Sequence, residues 1–445
     1  MTPGPCSVPR PVRFAATAPY MATAWKWLRP WTPLVSALAL LGGCGSTDGP
    51  PVTPDEGGVE PVVTAYTTRL PAPDPVTQAI VISQTVYPAT REENAVGAII
   101  LSPQNPAIAF TAMSRITHMP VNAPLLYLDE ERRIPETTLR EMRRLRPDGV
   151  VQDGQTQVYV VGDVDPSVAE TVRRELRYQV EIFPAGDPVA LAELLDRWQA
   201  ALKSDHPDEV VVSVPTRVGM QHGVGAMGWN AHMGKGFAWV FPDSVPPETR
   251  RVLERRHGDA YIYITGGEDV VSPAVARELA RYGPVRRIRG PTVFATNAVN
   301  AGYKDFGRNW GWWWDEVPRD FGWGIAQAGH NFIIGDANDL LGLIPAAVLG
   351  HMGKHGPILL VTPDRVPPAT ADYLRMVRPD VLTPNETILN FAWIIGGENR
   401  VSWDVQRELD RLLAPTTGVA TGVVPERGLE GSAAGREEGG DAIDG

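Results

Sequence analysis

The chain has 445 residues, a formal net charge of −11 and two cysteines. Because nucleic acids and anionic membranes repel an acidic protein, this charge argues against nucleic acid as a partner and against general adhesion to anionic lipid. The length suits two or three domains rather than one. Cys6 and Cys44 both lie near the N-terminus, so we expect the rest of the chain to fold without a disulfide, by burying an apolar core.

The first 43 residues have the features of an export signal. They carry four cations and no acid, and their apolar run is too short to span a membrane. Leu41-Gly-Gly precedes Cys44 and resembles a lipobox, so residues 1–43 are predicted to be a lipoprotein signal peptide and Cys44 the lipidation site. The protein would then be exported and anchored to the membrane, facing the cell wall or periplasm. An ordinary secretory signal is the alternative, and either Met1 or Met21 could be the first residue.

Two further segments have compositions that do not support a packed core. Residues 44–61 are rich in Gly, Pro, Thr and acids, which predicts a flexible tether. Residues 414–445 are rich in Gly, Ala and acids with almost no bulky apolar side chain, which predicts a disordered tail. The folded body is therefore expected between these two segments.

The body is organised around a stretch that occurs twice. Tyr261–Glu268 and Trp393–Glu398 are apolar runs that end in Gly-Gly-Glu and lead into Val-Ser and then Arg-Glu-Leu, at a constant offset of 130 residues. Val158–Gly162 is a fainter third copy. Each copy predicts a strand, a glycine turn and a helix. An internal repeat of this kind indicates a fold built from several copies of one structural unit.

Other landmarks recur with the same stretch. A His-Met pair begins at His118, His232 and His351. Continuous apolar runs separated by helical segments indicate parallel sheets buried on both faces. The sequence thus predicts an α/β protein of three Rossmann- or flavodoxin-like repeats, each a small parallel sheet with helices on both faces, packed as a pseudo-trimer. The predicted boundaries are 62–186 for repeat 1, 187–290 for repeat 2, and 291–413 for repeat 3 with a Trp-rich insertion at 309–323.

The third repeat lacks a final strand. Repeats 1 and 2 are each predicted to end with a closing strand, at Val180–Phe183 and Val285–Arg289, and no such segment follows the last helix of repeat 3. Val62–Tyr66 precedes repeat 1 and has no counterpart, so we expect it to complete the third sheet.

Several motifs of the third repeat resemble those of a known family. In chain order they are Phe332-Ile-Ile-Gly335, Asp339-Leu-Leu341, Pro357-Ile-Leu-Leu360 and Ile394-Ile-Gly-Gly397, and repeat 2 adds Arg287-Ile-Arg-Gly290. Together they resemble the cell wall-binding repeat type 2 domains of bacterial surface and surface-layer proteins, over roughly Val62 to Leu413. Val293 departs from the pattern because it stands where the motif has Arg, and repeat 2 has Phe237-Ala-Trp239 instead of Pro-Ile-Leu-Leu.

The resemblance implies a surface protein that binds cell-wall polysaccharide non-covalently. No catalytic or nucleotide-binding motif is visible in the sequence, so we expect neither catalysis nor a cofactor, and clusters of arginine favour an anionic polymer. Ligands of open α/β sheets sit at the carboxyl ends of strands. The candidate contacts there are Asp339, Pro357, Ile358, Leu359, Leu360, Gly396, Gly397 and Glu398. Apolar residues cannot hold a charged polymer alone, so Arg286, Arg287 and Arg289 are predicted to assist them. An extracytoplasmic solute-binding lipoprotein of a transporter is the alternative, although such receptors have two lobes around one cleft.

Two other groups of residues allow a functional and a structural interpretation. His118, His232 and His351 could converge on a metal, but no spaced carboxylate or Cys supports this, and a His at a helix C-terminus is favoured by the helix dipole alone. Five tryptophans lie in 309–323. They could stack on sugar rings, or fill the gap between two repeats, which is the favoured interpretation.

Overall fold

The computed structural model of the chain describes residues 61–87, 96–203, 207–308, 316–318, 321–351, 356–380 and 388–416. The predicted signal peptide, Cys44 and nearly all of the predicted tether lie outside these residues. So do residues 417–445 of the predicted tail and most of the Trp-rich insertion. No helix among the described residues is long and apolar enough to cross a membrane.

The strands alternate with helices along the chain, apart from a few strands that directly follow another. In chain order the strands are β1 (Val62–Val63), β2 (Thr67–Leu70), β3 (Ile99–Ser102), β4 (Leu125–Tyr127), β5 (Val158–Val161), β6 (Val180–Phe183), β7 (Glu209–Ser213), β8 (Gly236–Trp239), β9 (Tyr261–Thr265), β10 (Val285–Ile288), β11 (Phe306–Arg308), β12 (Glu316–Pro318), β13 (Asn331–Asp336), β14 (Ile358–Val361) and β15 (Phe391–Ile395).

The helices begin in most cases at a capping side chain or at a proline. Proline suits the first helical position because its φ is already helical and its missing N–H has no helical partner there. The helices are α1 (Pro75–Val86), α2 (Pro106–Arg115), α3 (Glu136–Leu145), α4 (Pro166–Leu176), α5 (Pro188–Lys203), α6 (Arg217–Met233), α7 (Pro247–Glu254), α8 (Pro273–Leu279), α9 (Val293–Gly302), α10 (Leu340–His351), α11 (Pro368–Met376) and α12 (Trp403–Leu413).

The strands form three main sheets, one for each repeat, and the predicted α/β class is confirmed. The strand orders are β4-β3-β5-β6, β8-β7-β9-β10 and β14-β13-β15-β2-β1. All pairs in the first two sheets are parallel, and in the third only β1 runs antiparallel to its neighbour. The inner strands are continuous apolar runs because helices cover both faces of a parallel sheet.

A strand from the N-terminal end of the body completes the third sheet. β2 pairs in parallel with β15 and places Arg69 opposite Ile394. β10 holds the same place beside β9 in the second sheet. The expectation of a completing strand is confirmed, but the strand is Thr67–Leu70 rather than Val62–Tyr66, and β1 contributes only a short antiparallel pairing outside it. This segment therefore belongs to the third sheet, although it precedes repeat 1 in the chain.

A glycine with positive φ follows the same strand in every repeat. Gly162, Gly266 and Gly396 have φ values of 91°, 96° and 106°. An L-residue avoids this region because its Cβ collides with the backbone, whereas glycine adopts it freely. The turn after β5, β9 and β15 thus accounts for the glycine that recurs in the sequence.

The central helix trio, α2, α6 and α10, forms the core between the repeats, since each of the three packs against the other two. Glycines on α6 allow close approach. A Cβ on Gly225 would lie 2.6 Å from the side chain of Asn297, and one on Gly223 would lie 2.6 Å from Ser213 Oγ. The Gly-rich stretch of repeat 2 therefore serves helix packing, and the arrangement is that expected of a pseudo-trimer.

Aromatic residues at the end of the Trp-rich insertion fill the space between repeats 2 and 3. The ring of Phe321 stacks on Tyr263 with a centroid distance of 3.5 Å. Trp323 packs edge-on against Trp229 at 5.1 Å, and both tryptophans are buried. For this described end of the insertion, gap filling is the interpretation that the contacts support.

Candidate functional site

The central helix trio runs in one direction, so the carboxyl ends of the three sheets meet at one face. At the start of the helices, Arg217 donates to Asn338 Oδ1 at 2.6 Å, and Tyr127 of repeat 1 donates to the Leu341 carbonyl of repeat 3 at 3.0 Å. At the other end, rings of His118 and His351 lie 5.0 Å apart. We name the first end the carboxyl face. In open α/β sheets this is where ligands bind.

Asp339 has an equivalent residue in each of the other two repeats. Asn105, Thr216 and Asp339 cap α2, α6 and α10, and each side chain accepts a hydrogen bond from a backbone N–H three residues further on. Side chains of these types satisfy amides that the first helical turn leaves unpaired. Sequence comparison of the repeats misses the relationship because three different residue types perform the same task.

The Pro-Ile-Leu-Leu motif lies in the core. Pro357, Ile358, Leu359 and Leu360 are all buried, and the last three lie in β14. Their side chains therefore present no surface to a polymer.

A threonine hydroxyl marks the same strand in every repeat. Thr370 donates to the Leu360 carbonyl at 2.8 Å, as Thr138 does to Tyr127 and Thr249 to Trp239. These bonds align Pro-Ile-Leu-Leu with Pro124–Tyr127 and Gly236–Trp239. The motif thus specifies a buried strand that ends at the carboxyl face, and the loop that follows is what reaches the surface.

The glycine turn of repeat 3 combines a buried and an exposed part. Gly396 is buried and its carbonyl accepts from Arg69 Nη1 at 3.1 Å. Gly397 is half-buried and Glu398 is exposed. Glu398 is thus the member of the predicted Gly-Gly-Glu set whose side chain is open to solvent at the carboxyl face.

The three candidate arginines of repeat 2 have different surroundings. Arg287 donates to the carbonyls of Gly266, Gly267 and Val271 at 2.9–3.0 Å, so its guanidinium is used within the turn. Arg286 is exposed and lies 3.9 Å from Asp305. Arg289 is exposed and lies 3.9 Å from Glu268 at the glycine turn.

One exposed arginine accompanies the glycine turn of each repeat. The distance from guanidinium to carboxylate is 3.5 Å for Arg132 and Asp163, 3.9 Å for Arg289 and Glu268, and 3.6 Å for Arg400 and Asp339. We call Arg132, Arg289 and Arg400 the turn arginines. The three ion pairs are long and each guanidinium is about half exposed, so each retains capacity for an external anion. Arg132 also donates to the Asp163 carbonyl at 2.7 Å. Sequence reasoning found only Arg289, since the other two come from unrelated segments.

Acidic groups near Arg400 shape the local charge. Asp336 ends β13 and is 2 % exposed. Burial raises the pKa of this carboxyl above its usual value, and the neighbouring Asp339 adds to the rise. As the pH falls, Asp336 therefore takes up a proton before an exposed aspartate does, which leaves Arg400 in a less negative environment.

The three repeat histidines converge at the opposite end of the central helix trio. His351 lies 5.0 Å from His118 and 6.2 Å from His232, ring to ring. His118 Nδ1 is bonded to the Met119 carbonyl at 2.9 Å. Burial, with Lys203 nearby, lowers the pKa of His118 to about 4, and burial also lowers the pKa of His351. Within the described residues, no group of three or more His, Cys, Asp or Glu is placed to hold a metal ion.

Comparison with known proteins identifies solved structures of similar fold, among them Cwp6 and Cwp8. Cwp6 from Clostridium difficile is 15% identical, with a TM-score of 0.60 over 79% of this chain and 48% of its own. Cwp8 from Clostridium difficile is 15% identical, with a TM-score of 0.59 over 79% of this chain and 52% of its own. The chain thus matches about half the length of each, and at this identity the likeness establishes the shared fold alone. No protein-family model and no curated protein sequence matches the chain.

Proposed function

We propose that the protein is an exported, cell-wall-associated surface protein that binds an anionic cell-wall polysaccharide non-covalently at the carboxyl face. The observation that carries the proposal is the turn arginines, one exposed guanidinium at the glycine turn of each repeat. The resemblance of the motifs to cell wall-binding repeats and the fold shared with Cwp6 and Cwp8 support it.

The turn arginines suit a polyanion better than a single small solute. Arginine presents a planar fork of donors that matches carboxylate and phosphate groups. Each of the three repeats has one such guanidinium, so the contacts are spread over three separate places. This is expected when a repeat protein binds an extended ligand. The overall charge of −11 repels a polyanion at long range, so contact depends on local positive groups.

The mode of attachment is part of the same proposal. Acylation of Cys44 would fix the N-terminus in the membrane, and residues 44–61 would let the carboxyl face reach the wall. In this role the protein bridges membrane and wall, and it binds without catalysing a reaction. The alternative of a solute-binding lipoprotein has less support, because the described residues form three main sheets around a central helix trio rather than two lobes around one cleft.

Binding of the purified mature protein to fractionated envelope polymers tests the proposal. Alanine at each turn arginine should weaken binding by a factor of about 1.4 to 5, since an exposed charge contact contributes roughly 0.2–1 kcal/mol. The triple variant should bind far more weakly than any single one. Arg375→Ala is the matched control, because Arg375 is exposed to the same degree and pairs with Asp372 on α11.

Two outcomes would overturn the proposal. One is a triple variant that binds the polymer as tightly as the unmodified protein. The other is a mature protein that takes up a small solute at a single site and has no affinity for any polymer fraction.

A further inference from the structure

A hydrogen-bonded seam joins two segments of the carboxyl face in repeats 2 and 3. The Ser272 N–H donates to the Pro242 carbonyl at 2.8 Å, and the Ser402 N–H donates to the Pro363 carbonyl at 2.9 Å. Ser272 and Ser402 cap α8 and α12. The seam therefore connects the loop after β8 or β14 to the helix that follows the glycine turn.

Each of these seams has one exposed aromatic ring beside it. In repeat 2 the ring is next to the proline that accepts the hydrogen bond, and in repeat 3 it is next to the serine that donates it. In repeat 2 it is Phe241, before Pro242, with 44% of its surface exposed, whereas Thr362 holds that place in repeat 3. In repeat 3 it is Trp403, after Ser402, with 40% exposed, whereas Pro273 holds that place in repeat 2.

Helix formation does not account for Trp403. Proline at this first helical position is the residue that α4 and α8 use, and it suits the position well. Tryptophan here instead leaves a large apolar ring in contact with water. A rigid ring of this size beside the seam, like Phe241 at the seam of repeat 2, offers a flat apolar face to a ligand.

A buried arginine holds the Trp403 ring in place. The guanidinium carbon of Arg69 lies 4.6 Å from the ring centroid, within the range of a cation–π contact. Arg69 is 1% exposed and is itself bonded to Gln406 and to the carbonyls of Gly396 and Ser402. Because the guanidinium covers one face of the ring, the exposed area belongs to the other face and the edges.

We propose that Trp403 and Phe241 are stacking subsites for pyranose rings of the polysaccharide. The C–H groups on one face of a pyranose form an apolar surface, and a rigid aromatic face complements it. Trp403 lies three residues after the turn arginine Arg400, and Phe241 lies at the seam that follows Glu268 and Val271. In this arrangement the two aromatic side chains bind sugar rings of the polymer, and the turn arginines bind its acidic groups. This inference rests on the proposed function and names the sugar units as its ligand.

The repeats themselves supply the test variants. Trp403→Pro and Phe241→Thr each introduce the residue that the other repeat carries at the equivalent place, so the fold is expected to tolerate them. Phe391→Thr is the matched control, since Phe391 is 43% exposed and begins β15, at the opposite end of the sheet from the carboxyl face. Circular dichroism and thermal unfolding should show all three variants folded.

The measurement is the Kd for purified cell-wall polysaccharide at 0.1 M and 1 M salt. At 1 M salt the Debye length falls to about 3 Å, so charge contacts weaken and stacking remains. Trp403→Pro and Phe241→Thr should each weaken binding roughly 3–10-fold at 1 M salt, Phe391→Thr should leave it unchanged, and Trp403→Phe should restore most of the loss.

The outcomes separate the two proposals. If the unmodified protein binds the polysaccharide and both seam variants match it at 1 M salt, the stacking subsites are wrong while the proposed function stands. If Trp403→Pro is destabilised, Trp403→Ala and Trp403→Phe decide, and equal affinity of those two contradicts stacking. A protein that binds no polysaccharide at either salt concentration overturns the proposed function and this inference together.

Discussion

Arg69 and Arg287 hold the same place in two different sheets. Arg69 stands opposite Ile394 and Arg287 stands opposite Ile264, and these two isoleucines are equivalent positions of the 130-residue repeat. Each guanidinium donates to the carbonyl of the positive-φ glycine that ends the neighbouring strand. The same device thus supports the glycine turn in repeats 2 and 3, even though Arg69 comes from the N-terminal end of the body.

The Arg69 contacts predict a large effect on stability. Arg69→Ala leaves buried carbonyls without a donor, at about 1–3 kcal/mol each, so the free energy of unfolding should fall by roughly 3 kcal/mol. Arg287→Ala should cost less, because Arg287 is only half-buried. Urea unfolding measures both, with the exposed Arg286→Ala as a control expected within about 0.5 kcal/mol of the unmodified protein. Equal stability of the Arg69 and Arg286 variants would contradict the structural role.

The sequence predicted the repeats well because a 130-residue offset survives in strand, turn and helix together. The sequence placed the completing strand at Val62–Tyr66, a few residues before its actual position. Thr67–Leu70 has three polar residues out of four, so it is recognisable as a strand only from its pairing with β15. Arg69 could not be recognised, because its partners Gln406 and Gly396 are more than 300 residues away in the chain.

The candidate site was predicted less completely than the fold. Pro357–Leu360 and Asp339 lie at positions that recur in every repeat. Their roles in the structure are a buried strand segment and a helix cap, both of which stabilise the fold. Arg132 and Arg400 carry no repeat signal, because different segments bring them to equivalent turns. Contacts of this kind depend on tertiary packing, which a single sequence does not display.

Asp196 predicts a second stability effect. Its carboxylate accepts hydrogen bonds from Arg115 of repeat 1 and from Arg255 and Arg256 of repeat 2, and it is fully buried. Removing one member of a buried charge network leaves the others uncompensated, at about 3–5 kcal/mol. Asp196→Asn should therefore lower the free energy of unfolding by about that amount. Glu193→Gln, which changes a more exposed partner of Arg251, should cost well under half as much, and the opposite order would refute this assignment.

The histidine cluster predicts that stability declines in acid. The pKa of His118 is lowered to about 4 from 6.5, chiefly by burial, so the unfolded chain binds this proton more readily than the folded protein. The stabilising contribution is complete above pH 6.5 and is lost as pH falls towards 4. In His118→Gln the decline between pH 6.5 and 4 should be shallower by up to about 3 kcal/mol, since one unit of pKa difference corresponds to about 1.4 kcal/mol. The exposed His257→Gln is the control, and an unchanged profile in His118→Gln would exclude this role.

The proposed acylation of Cys44 gives a prediction that does not depend on the fold. Cys44→Ser removes the thiol that acylation requires, so the variant should leave the membrane fraction or accumulate unprocessed. Fractionation of cells and the electrophoretic mobility of the protein measure this. A variant that fractionates and migrates like the unmodified protein would show that Cys44 is not the lipidation site.

Salt should weaken polysaccharide binding through the turn arginines. Raising salt from 0.1 M to 1 M shortens the Debye length from about 10 Å to about 3 Å, which screens exposed guanidinium groups from the polymer. The Kd of the unmodified protein should therefore rise steeply with salt. The triple alanine variant of Arg132, Arg289 and Arg400 should bind weakly at 0.1 M and change little at 1 M.

Arg375→Ala serves as the control for this salt dependence. It should keep the slope of the unmodified protein, because Arg375 lies on α11 and is paired with Asp372. Equal slopes for the triple variant and this control would mean that the positive charge acting on the polymer lies elsewhere on the surface. Each single turn-arginine variant removes one positive charge, as Arg375→Ala does, so a slope that falls in the single variants but not in this control would locate the charge at the three glycine turns.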